Sequence, residues 1–105
     1  MSKKYDSYGV REEEVIYLAQ PGKKVVCALG SVDRTTVSLE DKLNDISELT
    51  FEIDKYYNGE PVPEYDWVDQ HMLLYVDGIW FKIKEQPIIK TEDLREYKEV
   101  TAMSL

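Results

Sequence analysis

The stretch Leu43-Asn-Asp-Ile-Ser-Glu-Leu-Thr-Phe-Glu-Ile-Asp54 decides how this chain is read. From Ser47 onward, Leu49, Phe51 and Ile53 alternate with Glu48, Thr50, Glu52 and Asp54. Neighbouring side chains of a strand point to opposite faces. A period of two therefore predicts a β-strand with one dry face and one wet, acidic face. The second decisive stretch is Met72-Leu-Leu-Tyr-Val-Asp-Gly-Ile-Trp-Phe-Lys-Ile83. Its Asp77-Gly78 pair is a hairpin signal, because a tight two-residue turn needs positive φ at both centres. The return strand, Ile79 to Glu85, is expected to turn Ile79, Phe81 and Ile83 inward and Trp80, Lys82 and Lys84 outward. Pro87 ends it, since proline has no N–H to give a ladder.

The rest of the chain fits around these two signals. Residues 1–13 are polar, charged and without periodicity, and are read as a flexible arm. A first strand is expected from Glu14 to Ala19 and a second from Lys24 to Leu29, with the turn at Gln20-Pro21-Gly22-Lys23. Ser31 to Asp45 admits two readings. One is a helical turn at Leu39–Leu43, capped by Ser38. The other is an irregular connection. Lys55 to Tyr65 carries Tyr56, Tyr57, Asn58-Gly59, Pro61 and Pro63, and is expected to be a loop. Asp66 to His71 offers one helical turn, with Trp67 plugging the end of the core. Lys90 to Arg95 reads as a polar turn. Glu96 to Leu105 reads as a last strand, with Val100 and Ala102 on one face and Tyr97, Met103 and Leu105 on the other. That strand is still in phase at Leu105, so the chain is expected to be the front part of a longer protein.

Such a pattern predicts a mainly β fold, a small antiparallel barrel or sandwich of about six strands with one or two short helical turns. It occupies residues 14–105 as a single domain. The length of 105 residues fits one core, and 43% of the residues are hydrophobic.

Composition narrows the function. Asp and Glu outnumber Lys and Arg by 21 to 13, for a net charge of -8. That disfavours a general grip on nucleic acid, which needs a positive surface, and docking on anionic lipid. No apolar run is long enough to span a bilayer, and the N-terminus lacks the apolar stretch of a signal peptide. Synthesis in a cytoplasm is expected. Cys27 is the single cysteine and lies in the apolar run Val25–Leu29, so it reads as a small buried hydrophobe. His71 is the single histidine and has no thiol or second histidine to complete a zinc set. Asp41, Asn44 and Asp45 offer oxygen donors, but without the Gly and terminal Glu of an EF-hand loop. No Gly-rich phosphate loop and no Ser–His–Asp arrangement is present. The carboxylate pairs Glu48/Glu52 and Asp66/Asp69 would need a cleft to act as a hydrolase, and a barrel this small has little room for one. No enzymatic activity and no cofactor are expected.

Two surfaces are left as candidate sites. Glu48, Thr50, Glu52 and Asp54 form the acidic strand face. Tyr56, Tyr57, Tyr65 and Trp67 form an aromatic set of the kind that anchors interfaces.

The segment Leu43 to Ile53 resembles the N-terminal region of phage tail hub proteins, also called tail-associated or prophage minor structural proteins. The order of features agrees over residues 14 to 105. An early hairpin (Val15 to Leu29) is followed by the alternating segment, then the aromatic loop. Val76, Gly78, Trp80, Phe81 and Ile83 come next, and Tyr97-Lys-Glu-Val-Thr-Ala-Met-Ser-Leu105 closes the set. The resemblance implies a barrel like those of tail tubes and a place in the virion. It implies a trimeric ring at the tail tip that meets the distal tail protein and continues the tube. In such a ring the acidic face would line the lumen, where carboxylates keep phosphate from sticking. The alternative is a bacterial protein-binding β-module that captures a peptide with a sheet edge or the aromatic loop.

Overall fold

The computed structural model describes residues 15–41 and 46–105. The expected arm at residues 1–13, and Asn44 and Asp45 of the candidate cation loop, lie outside the described residues.

The strands are β1 (Tyr17–Gln20), β2 (Lys24–Ala28), β3 (Val32–Asp41), β4 (Ser47–Asp54), β5 (Tyr56–Tyr57), β6 (Glu60–Pro61), β7 (Leu73–Val76), β8 (Ile79–Ile83), β9 (Ile88–Glu92) and β10 (Arg95–Ser104). One short helix, α1 (Pro63–Trp67), lies between β6 and β7. The fold is mainly β, as the alternation predicts. The main sheet runs β2-β1-β7-β8-β10-β4-β3, with β9 also on β10, and β5 and β6 form a small separate ribbon. All of its pairings are antiparallel.

Strand β10 organises the sheet. One of its edges pairs with β4 from Tyr97↔Asp54 to Met103↔Glu48. Its other edge is shared. β9 takes Arg95 to Glu99, and β8 takes Ala102 to Ser104. Strands β2 and β3 stand at opposite ends of the order, yet Leu29-Gly30-Ser31 alone separates them in the chain. The Leu29 N–H donates to the Ile16 carbonyl at 2.8 Å, and the Asp54 N–H donates to the Ser31 carbonyl at 3.0 Å. A sheet whose two ends are joined this closely must curl onto itself. Both halves then face one core, in which Leu18, Leu74 and Phe81 meet Leu49, Ile53 and Val100. Curling is how a single sheet hides one apolar face without a second layer. The radius of gyration of 13.3 Å is that of one compact domain of this length.

The Asp77-Gly78 turn forms as expected, with φ of 50° and 79°. Several local readings are corrected. Ser31–Asp45 contains neither a helical turn nor an irregular link over its described part, because β3 runs through Leu39 to Asp41. Its alternation is hidden by a bulge. Asp33 lies opposite Glu52 and Ser38 opposite Thr50, so four residues of β3 face Phe51 alone. The loop Lys55–Tyr65 is built from the β5–β6 ribbon around Asn58-Gly59 and from the start of α1. The helical turn comes earlier than Asp66, because Pro63 presets φ at its first position. Trp67 is 47% exposed and does not plug the core. Tyr65 and Val68 fill that place. Lys90–Arg95 does turn, at Asp93 and Leu94, but as the tip of the β9–β10 hairpin, with Lys90 to Glu92 and Arg95 in its strands. Ile79 is exposed, whereas Phe81 and Ile83 are buried as expected.

Candidate functional site

The four residues of the acidic strand share one face of β4, as alternation requires. The register continues that face onto β10, with Asp54 opposite Tyr97, Glu52 opposite Glu99, Thr50 opposite Thr101 and Glu48 opposite Met103. On the far side of β4, Asp33 of β3 lies opposite Glu52. Like charges directly opposite destabilise a sheet. Two cations relieve them here. The Arg95 Nε donates to Asp54 Oδ1 at 2.8 Å, and its Nη2 donates to Glu52 Oε1 at 3.0 Å. The same nitrogen stands 3.6 Å from Asp33 Oδ2. The guanidinium plane also covers the Tyr97 ring, 4.1 Å from its centroid. This cover is why Tyr97 is buried although it points away from the core. Lys90 pairs with Glu99 at 3.1 Å. Burial opposes the charge on Arg95, but its hydrogen bonds to Asp54 and Glu52 outweigh that and raise its pKa. A shallow cleft of about 280 Å³ lies in the middle of this face, walled by Thr36, Thr50, Glu52, Glu99 and Thr101.

The aromatic set is divided. Tyr65 points into the core at 2% exposure, and its hydroxyl donates to Glu96 Oε2 at 3.1 Å. Burial first, then that carboxylate, pushes its phenol far above the ordinary range. Tyr65 is therefore withdrawn from the surface of this chain. Tyr56 and Tyr57 stand exposed on the β5–β6 ribbon, with the Lys55 ammonium 5.8 Å from the Tyr56 ring centre. Trp67 belongs to a different surface, a cleft of about 430 Å³ beside edge strand β2 that also has Val26, Met72, Asp66 and Asp69 in its walls.

Lys98 anchors the helix between these surfaces. It is 6% exposed and points to the core side of β10. Its Nζ donates to the carbonyls of Tyr65 at 2.7 Å and Val68 at 3.0 Å, and lies 4.6 Å from the Tyr65 ring centre. The last turn of a helix leaves carbonyls without partners, and an ammonium satisfies two of them here. Burial lowers the Lys98 pKa against the opposing pull of Asp66, Asp69 and Glu96.

Among the described residues no group of three or more His, Cys, Asp or Glu is arranged to hold a metal ion. Burial and nearby Glu64 raise the pKa of the Cys27 thiol, the opposite of what activates a nucleophile. No family model, curated protein or solved structure matches this chain.

The sequence reading found one strand of the acidic face but missed its partners Asp33, Lys90, Arg95 and Glu99. Their common face is set by pairing between segments far apart in the chain. Alternation of Arg95, Tyr97, Glu99, Thr101 and Met103 was the available signal. It also missed an outward cross-strand ladder of Tyr17, Tyr75 and Trp80, with centroids 6.4 and 4.7 Å apart. The Asp77-Gly78 hairpin already sets Tyr75 opposite Trp80, but that Tyr17 lies beside Tyr75 is unknown until the sheet is assembled.

Proposed function

We propose that this chain is a structural building block of a phage or prophage tail tip, the first domain of a hub protein whose ring continues the tail tube. On this reading it catalyses no reaction and holds no cofactor. It works in the virion, contacts the distal tail protein and further copies of itself, binds no specific nucleic acid and inserts into no membrane. The ordered sequence resemblance motivates the reading. The observation that carries it is the broad acidic face of β3, β4 and β10, on which carboxylates outnumber Arg95 and Lys90. The Arg95 clasp fixes Asp33, Glu52 and Asp54, so that part of the face is firm as well as negative. A channel that passes DNA without holding it needs such a wall, because fixed carboxylates repel phosphate at short range. Electron microscopy of the ring formed by the full-length protein tests this. Glu48, Thr50, Glu52 and Asp54 are expected to face the ring axis. Finding them on the outer rim would end the lumen assignment.

One observation favours a second reading, a protein-binding module. The cleft holding exposed Trp67 borders the edge of β2 that no strand among the described residues pairs with, and an extended peptide added to that edge would place a side chain against the indole. A gene neighbourhood free of tail genes would favour this reading over the first.

A further inference from the structure

Strand β9 is exposed along its whole length and, among the described residues, pairs with β10 alone. Ile88 and Ile89 are 57% and 59% exposed, and Leu94 at the hairpin tip is fully so. An edge carrying this much apolar surface is a template for another strand. Its chemistry decides which strand fits. Glu92 and Arg95 flank a two-residue turn whose centres, Asp93 and Leu94, both have positive φ. Residues that flank such a turn bond each other. By alternation, the main-chain groups of Glu92, Lys90 and Ile88 face β10, while those of Thr91 and Ile89 face outward.

We propose that β9 pairs antiparallel with β9 of a second copy, about a two-fold axis through Thr91. Three registers are open to two such edges. Centring on Ile89 sets Pro87 opposite Thr91, where proline has no N–H to give. Centring on Lys90 sets two ammonium groups face to face, which repels. Centring on Thr91 lets the two threonines exchange both main-chain bonds. It also places Lys90 opposite Glu92 twice, once on each side of the axis, and brings Ile88 beside Leu94 of the other copy. The edge is complementary to itself in this register alone. With two outward-facing residues per strand the contact is small, so the dimer is weak and concentration-dependent. The inference does not depend on the tail reading, since it is argued from the register and chemistry of β9 alone.

Sedimentation velocity over a series from about 10 µM to about 1 mM is expected to show a monomer–dimer equilibrium. Lys90→Glu and Glu92→Lys alone should each weaken it roughly tenfold, and the double exchange should restore it. Thermal melts of each variant confirm that the domain is folded. Cross-linking fixes the register independently. In a Cys27→Ser background, Thr91→Cys should form a disulfide-linked dimer under mild oxidation, because paired Cα atoms about 5.5 Å apart suit the bond. Lys90→Cys should not. A monomer at every concentration, failure of the double exchange to restore association, or equal cross-linking from both cysteines would overturn the proposal.

Discussion

At the scale of single residues, two cations do unlike work. Lys98 is buried and satisfies the carbonyls of Tyr65 and Val68. Lys98→Met keeps the bulk and removes both donors, and should destabilise the domain by about 1–3 kcal/mol in urea titrations, because unmatched buried carbonyls are costly. The pH dependence has a definite sign. The folded pKa of Lys98 lies below its ordinary 10.5. Between those two values the unfolded chain binds more protons than the folded one. Stability contributed by Lys98 therefore rises with pH in that window, and is least where the buried ammonium is fully charged. The stability difference between wild type and Lys98→Met should grow as pH climbs toward 10.5, and a flat difference would contradict this account. Arg95 is half-exposed and holds Asp33, Glu52 and Asp54 together. Arg95→Gln leaves three carboxylates in mutual repulsion and bares the Tyr97 ring. A loss of about 1 kcal/mol is expected at low ionic strength, and part of it should return in about 1 M salt, where repulsion between charges is screened. Neither role was legible from the sequence. Both residues look like ordinary surface cations there, and the groups they bind lie 30 or more positions away in the chain.

At the scale of elements, strands with strict alternation were readable and strands interrupted by a bulge were not. β4 was identified by period alone, and so was the β7–β8 hairpin with its Asp-Gly turn. β3 was missed because the bulge between Asp33 and Ser38 shifts the phase of its pattern. Thr36 repairs the ladder at that place. Its Oγ1 donates to the Asp33 carbonyl at 2.6 Å and accepts from the Glu52 N–H at 2.9 Å, standing in for the main-chain partner that the bulge removes. Thr36→Val has the same shape without the hydroxyl and should cost about 1–2 kcal/mol. Faster amide exchange at Glu52, measured by NMR, is the specific signature. Unchanged exchange there would mean that β4 does not need this bond. Trp67 shows the opposite error. A large aromatic beside a predicted helical turn looks like core, but α1 is a five-residue helix that buries Tyr65 and turns Trp67 outward.

At the scale of the whole molecule, the curled sheet leaves β2, β3 and β9 as edges among the described residues, and each differs chemically. β9 exposes Ile88 and Ile89 beside Lys90 and Glu92, β2 adjoins the Trp67 cleft, and β3 borders the acidic face. The dimer experiment examines one of these edges, β9. The sequence by itself determined the fold class, the dry and wet faces of β4, the β7–β8 hairpin and the acidic balance, because each is encoded within a few consecutive residues. Only the tertiary structure decided which strands are neighbours, that Arg95 and Lys90 sit among the carboxylates, that Tyr65 is buried while Trp67 is not, and which edges stay open. The physical reason is that alternation and turn chemistry act locally, whereas pairing and burial depend on contacts between segments the chain keeps apart until it folds.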